Sequence, residues 1–312
     1  MNISIVIPVF NEETNLDALI SRCLESCSKI NKPFEIILID DGSADSSRIK
    51  IEEAAKKYPG KIVGVFLNRN YGQHAAVMAG FETSSGDVVI TLDADLQNPP
   101  EEIPKLVEKM EEGFDVVGTI RKDRQDSLFR KLSSYLTNKI VQKYTGIMMH
   151  DYGCMLRAYK RNIIEAMLSC KEHSFFIPIL ANSFAKTTSE INVNHEKRLS
   201  GDSKYSFFKL INLYFDLLTS MSTLPLRFLT FLGTIISLFG IGFGCFLFLM
   251  RIIKGSAWAV GGVFTIFALL FILVGLQFIG MGLLGEYIGR IYNDVRSRPR
   301  YFIEKVIKDK SS

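Results

Sequence analysis

The chain has 312 residues, 37 basic and 33 acidic, for a net charge of +4, and 47% of it is hydrophobic. A mean hydropathy of +0.17 is high for an ordinary soluble enzyme, and the composition excludes a disordered, collagen-like or disulfide-stapled small protein. The charge is also too mild for a nucleic-acid binder: the basic excess (Arg290, Arg296, Arg298, Arg300, Lys305, Lys308, Lys310) sits at the end of the chain, and no basic stripe interleaved with aromatics occurs in the first 120 residues.

From the start, short apolar runs rich in β-branched residues alternate with helical patterns. The runs are 3–9 (ISIVIPV), 34–39 (FEIILI), 62–67 (IVGVFL), 87–92 (DVVITL) and 114–120 (FDVVGTI). The helical patterns cover about 13–30, 45–57, 73–83 and 101–112. This alternation predicts βαβ units around a mostly parallel sheet buried on both faces, a Rossmann-like α/β fold. The first run is short and ends at Asn11-Glu12-Glu13, so it reads as a strand and not as a signal peptide.

Ligands of such sheets bind beyond the carboxyl ends of the strands. No Gly-x-Gly-x-x-Gly comes after the first strand and no Gly-x4-Gly-Lys-Ser/Thr occurs, which argues against a dinucleotide dehydrogenase and a P-loop enzyme. The groups that gather there are carboxylates: Glu12 after the first strand, Asp40 and Asp41 after the second, Asp93 and Asp95 after the fourth. Like charges at one edge repel unless a cation is present, and oxygen ligands suit Mg2+ or Mn2+, which in turn holds a diphosphate. An extended course through Asp93-Ala94-Asp95-Leu96-Gln97 places alternate side chains on one centre. Glu101 and Glu102, after Pro99-Pro100, read as a helix start. The four histidines show no metal spacing. Nor do the five cysteines; Cys23 and Cys27 share a helical face with no second ligand pair, so all five read as reduced thiols.

Further on, Tyr205–Leu218 is an aromatic-rich amphipathic stretch that either lies on a membrane surface or packs on the globular domain. Residues 226–285 carry Arg227, Arg251 and Lys254 as their only charges. Phe228–Met250 is an uncharged run of 23 residues, and 255–285 is a second, 31 long. Roughly 20 residues span a bilayer core, so two crossings are expected, joined by a turn near Arg251–Trp258. The flanks carry more Lys and Arg than the turn, which places domain and tail in the cytoplasm. Gly240–Gly244 lies inside the first crossing and reads as a close helix-packing surface. The expected organisation is a domain over 1–203, a juxtamembrane helix over 204–225, two transmembrane helices within 226–285 and a basic tail over 286–312.

Four strings, VIPVFNE (6–12), IDDGSADSS (39–47), NRNYGQHAAVMAGF (68–81) and TLDADLQNPPEEI (91–103), resemble glycosyltransferase family 2, whose fold is GT-A. With VVGTIRKDRQDSLFRK, DYGCMLRAY, GDSKYSF and the segment QFIGMGLLGEYIGRIYNDVRSRPRYF, the chain resembles the polyprenyl-phosphate branch along nearly its whole length. Within it the motifs are most similar to the enzymes that transfer 4-deoxy-4-formamido-L-arabinose to undecaprenyl phosphate for lipid A modification and polymyxin resistance. Glucosyl and mannosyl branches share most of the motifs.

The resemblance implies a role for each matching position. Pro8, Asn11 and Glu12 bind the nucleotide, and Asp40 and Asp41 contact uracil and ribose. Asp93, Asp95 and Gln97 hold the metal and the UDP-sugar diphosphate. Arg121, Arg130 and Ser134 cradle the acceptor phosphate, Asp151 sits near the transferred sugar, and Arg198 and Lys204 close over the diphosphate. The catalytic set is then Asp95, Asp151, Arg121 and Arg130. The resemblance also implies a homotetramer in the bacterial inner membrane. A processive synthase is disfavoured because the single Trp, Trp258, leaves the domain without a Gln-x-x-Arg-Trp motif, and a non-catalytic scaffold has no use for the carboxylate cluster.

Overall fold

A computed structural model describes residues 1–121, 153–170, 176–194, 196, 224–254, 263–296 and 298–308. The chain divides into two compact units, Met1–Lys204 with Arg298–Ser312, and Tyr205–Ser297.

The first unit is built on a sheet of eight strands: β1 (Ile3–Val9), β2 (Phe34–Asp40), β3 (Ile62–Leu67), β4 (Val88–Thr91), β5 (Val116–Arg121), β6 (Arg157–Lys160), β7 (Thr188–Val193) and β8 (Ile303–Ile307). Their order is β7-β5-β6-β4-β1-β2-β3-β8. The five expected strands are all present, and β1, β2 and β4 pair in parallel, as do β2 with β3. Their side chains are buried on both faces because helices α1 (Leu16–Ser28), α2 (Ser47–Lys57), α3 (Gln73–Thr83) and α4 (Ile103–Glu111) cover them. On α1 the stripe Leu16, Leu19, Ile20, Cys23, Cys27 recurs at helical spacing and joins the core; both cysteines are free thiols there. Helices α5 (Arg161–Ser169) and α6 (Ile177–Phe184) complete the described part of the unit.

Three strands are not legible in the sequence pattern. β6 (RAYK) is wedged antiparallel between β4 and β5, β7 pairs in parallel with β5, and β8 pairs antiparallel with β3. The last of these changes the reading of the tail. Residues 303–307 are a sheet strand, tied down by Arg48–Glu304 at 3.1 Å, Lys305–Glu52 at 3.0 Å and the Tyr301 hydroxyl on Glu82 at 2.7 Å. Lys305 and Lys308 face acids on α2 and β2, Glu52 and Glu35, and Tyr301 meets one on α3.

The second unit contains two long helices, α7 (Leu224–Lys254) and α8 (Val263–Val295). At 1.5 Å per residue each exceeds the roughly 30 Å of a bilayer core. Among the described residues Phe228–Lys254 is long and apolar enough to cross a membrane, while the apolar part of α8, Leu273–Gly289, is shorter. One expectation is corrected. Arg251 and Lys254 belong to the last turn of α7 instead of a connecting turn. Among the described residues nothing lies within 4 Å of a Cβ built on Gly240, Gly242 or Gly244, while in the same unit Gly280 packs against Leu229.

Candidate active site at the carboxyl edge of the sheet

Register decides which residues meet. Val9 pairs with Asp40 and Val6 with Thr91, so the chain leaves β1, β2 and β4 on one edge. β5 ends there too, at Arg121, as does β7, at Val193. β6 and β8 start there, because they run the other way.

The loops after β1 and β2 are stapled together. Asn11 takes a positive φ of 55°; its amide oxygen accepts Ala44 N–H at 2.8 Å and its own N–H donates to Ser43 Oγ at 3.1 Å. Glu12 N–H donates to Ser47 Oγ at 3.0 Å, and the Glu12 carboxylate receives Asn15 Nδ2 at 2.6 Å. Pro8 is partly exposed near the end of β1.

Asp40 and Asp41 are almost fully buried. Asp40 Oδ1 accepts Ser43 N–H at 3.1 Å, while its Oδ2 is buried without a hydrogen-bond partner among the described residues. Asp41 uses both oxygens on the loop after β3, taking Tyr71 N–H at 2.8 Å and Gly72 N–H at 2.9 Å. Burial pushes both acids above the usual carboxylate range, against the hydrogen bonds that hold them down. Gly42 lets these loops approach: its φ is +69°, and a Cβ there would stand 2.5 Å from the Arg69 carbonyl carbon.

After β4, Asp93, Asp95 and Gln97 are partly exposed while Ala94, Leu96 and Asn98 are buried. The segment is not extended, however. It turns at Ala94-Asp95, Leu96 takes a φ of 59°, and Asp95 Oδ1 accepts Gln97 N–H at 3.1 Å. A side chain closing a turn on its own backbone replaces the extended course that alternation suggested.

Asp93 is the most perturbed acid of this edge. Burial pushes it up to about 7, and the charge of Asp95 adds to that; the Arg121 guanidinium and the amides of Gln73 and Asn98 act in the opposite direction. Gln73 Nε2 donates to Asp93 Oδ1 at 2.7 Å and Asn98 Nδ2 reaches Oδ2 at 3.4 Å. Two carboxylates that repel each other at a sheet edge fit a divalent cation. Among the described residues no three His, Cys, Asp or Glu side chains cluster to hold an ion. Such a cation would therefore draw on Asp93, Asp95 and Gln97 and complete its shell with phosphate and water oxygens, as Mg2+ commonly does.

Neither Gln73 nor Asn98 stands out in the sequence as a site residue. For Gln73 there is a signal: β3 runs parallel to β2, so the loop 68–72 opens on the same edge as the acid-bearing loops and leads directly into Gln73. The acids Glu101 and Glu102 are structural, as expected. Arg22 forks onto Glu101 at 2.9 and 2.8 Å and also reaches Glu196 at 3.0 Å, while Glu102 accepts Asn194 Nδ2 at 3.0 Å. Glu196 N–H in turn donates to Gln97 O at 2.9 Å, which ties the segment after β7 to the Asp93–Gln97 turn. Arg130, Ser134, Asp151, Arg198 and Lys204 lie outside the described residues, as do Trp258 and Tyr205–Leu218.

Residues 4–168 match Glycosyl transferase family 2. Proteins named undecaprenyl-phosphate 4-deoxy-4-formamido-L-arabinose transferase are similar along the whole chain. Those of Aeromonas hydrophila and Yersinia enterocolitica are 60% identical over 98% of this chain and over 94% and 93% of their own lengths. The chain belongs to glycosyltransferase family 2. Its sheet has the GT-A architecture of solved glycosyltransferases. Glucosyl-3-phosphoglycerate synthase of Mycobacterium tuberculosis, in complex with Mn2+ and UDP-glucose, is 17% identical and aligns over 70% of this chain and 79% of its own with a TM-score of 0.50. Mannosyl-3-phosphoglycerate synthase of Rubrobacter xylanophilus is 13% identical and aligns over 70% and 71% with a TM-score of 0.50. At such identities the likeness establishes the fold. The family 2 relatives at 60% establish a glycosyltransferase.

Proposed function

We propose that the chain transfers 4-deoxy-4-formamido-L-arabinose from its UDP donor to undecaprenyl phosphate, with inversion and with a divalent cation. One observation carries the reading: 58–60% identity, over nearly full length on both sides, to proteins bearing that name. The product would supply lipid A modification and so polymyxin resistance.

The chemistry suits the edge of the sheet. The nucleoside diphosphate must leave as an anion, and a bound Mg2+ or Mn2+ supplies the positive charge that this anion needs. Asp93, Asp95 and Gln97 hold it, with Asn11, Glu12, Asp40 and Asp41 shaping the loops around the nucleotide. A lipid phosphate is already ionised near neutral pH and attacks the anomeric carbon without losing a proton, so no general base is needed. Arg121, at the end of β5, stands where its charge is felt at Asp93, and its planar fork suits phosphate oxygens. Arg130, Ser134 and Asp151 complete the acceptor side, and Arg198 and Lys204 the donor side, on the family resemblance.

We place the enzyme in the inner membrane, with α7 and α8 as two crossings, the catalytic unit in the cytoplasm and a homotetrameric assembly. The length and apolarity of Phe228–Lys254 support the anchoring. The test is turnover by purified full-length protein with undecaprenyl phosphate and a panel of UDP-sugars, with Mn2+ and with EDTA. Turnover is expected with the formamido-arabinose donor, lost in EDTA and lost in Asp95→Ala. Preferred use of UDP-glucose, or retention of the anomeric configuration, would overturn the proposal.

A further inference from the structure

The loop from Asn68 to Gln73 is held at several points. Asn68 N–H donates to Phe302 O at 3.3 Å, at the entry to β8, and Asn68 Oδ1 accepts the Tyr71 hydroxyl at 2.8 Å. Asp41 then fixes Tyr71 and Gly72 through their N–H groups. The loop ends by delivering Gln73, the first residue of α3, whose Nε2 lies 2.7 Å from Asp93 Oδ1. The second Asp93 oxygen faces Asn98 Nδ2 at 3.4 Å; that amide is oriented because its oxygen takes the Cys154 thiol at 3.6 Å. Cys154 Sγ is itself approached by the Thr119 hydroxyl at 2.9 Å.

Gln73 is exposed, so it fills no part of the core. An exposed glutamine loses rotamer freedom by holding one geometry, and nothing in the packing compels it. Its amide does fix the rotamer of an acid that sits beside a like charge.

We propose that Gln73 is a positioning residue for the cation and diphosphate: by holding Asp93 Oδ1 it keeps the remaining carboxylate lone pairs turned toward the space shared with Asp95. Asn98, buried in the loop after β4, supports the same carboxylate. This rests on the reading that Asp93 and Asp95 hold a divalent ion. Outer partners of ligating carboxylates typically change metal affinity by about 10–100-fold, and an amide on one oxygen belongs at the low end of that range.

Gln73→Met keeps the side chain's length and removes the donor; Gln73→Ala removes both. In full-length protein, Mn2+ affinity is measured by electron paramagnetic resonance with UDP present, and UDP affinity in EDTA by calorimetry. Both variants should bind Mn2+ roughly tenfold more weakly, with the same rise in the Mn2+ concentration for half-maximal turnover and unchanged UDP affinity in EDTA. Native Mn2+ affinity in Gln73→Met would overturn the assignment. An equal loss of UDP affinity in EDTA would also overturn it, by making Gln73 a support of the loop. If the native protein bound no Mn2+ in the presence of UDP, the metal reading itself would fall, and that arm separates the two failures.

Discussion

Gly42→Ala tests the closeness of the two loops that meet beside Asp41. The perturbation has two parts. An alanine at a φ of +69° costs about 1–2 kcal/mol in a left-handed conformation. Its Cβ would also stand 2.5 Å from Arg69 C, 2.6 Å from Asn70 N and 2.8 Å from Arg69 Cα. Those are backbone atoms and cannot swing aside as a flexible side chain does, so forced displacement adds about 1–3 kcal/mol. The sum is about 2–5 kcal/mol, against a whole-domain stability of about 5–15 kcal/mol. Gly113→Ala supplies the control: its φ is +98°, yet nothing lies within 4 Å of a Cβ there, so only the conformational part applies. For a domain of this size each kcal/mol moves Tm by about 2–4 °C, which predicts a fall of roughly 4–20 °C for Gly42→Ala and roughly 2–8 °C for Gly113→Ala. Cys245 is exposed on α7, so with Cys245→Ser as the background the buried thiols of Cys23, Cys27 and Cys154 let a thiol-reactive dye follow the catalytic unit during heating of the full-length protein. Equal shifts in the two variants would show that the loops yield freely, and the steric reasoning would fail.

The same geometry makes three further outcomes testable. His74 packs edge-on against Phe176 at 5.1 Å, and burial pushes its pKa down from 6.5 to about 4. The folded protein therefore keeps it neutral while the unfolded chain takes up a proton. Its share of stability is complete above pH 6.5 and is lost as pH falls toward 4, by up to about 3 kcal/mol; His74→Leu should flatten that limb of the stability–pH curve, and an unchanged limb would contradict the assignment. Arg22→Ala removes the fork onto Glu101 and Glu196, partners that are about half exposed, so denaturant unfolding should change by only about 0.5–1 kcal/mol and less in high salt. A loss well beyond that would mean the turn at Gln97 depends on Arg22. A chain ending at Ser297 lacks β8 and leaves the β3 edge open, so it should aggregate or unfold at lower temperature; unaltered stability would mean that β8 contributes little to the sheet.

The sequence by itself determined the five central strands, the four helices between them and the carboxylates at their ends. Those features are local: an apolar run buried on both faces needs no knowledge of its partner. Strands β6 (RAYK) and β8 (IEKVI) carry charges within four or five residues and have no such run. They are strands because β4, β5 and β3 offer unpaired edges, a fact about distant residues. The same holds at the site. That Asp93 and Asp95 belong together was readable from Asp-x-Asp after a buried strand, but the turn at Ala94-Asp95 depends on Leu96 adopting a positive φ, which its residue type disfavours. Asp41 was legible as an acid at the sheet edge. Only the tertiary structure shows both its oxygens engaged by Tyr71 and Gly72, and only it brings Gln73, twenty residues away, onto Asp93. Local pattern fixes which residues reach an edge, while long-range packing fixes what each one faces there.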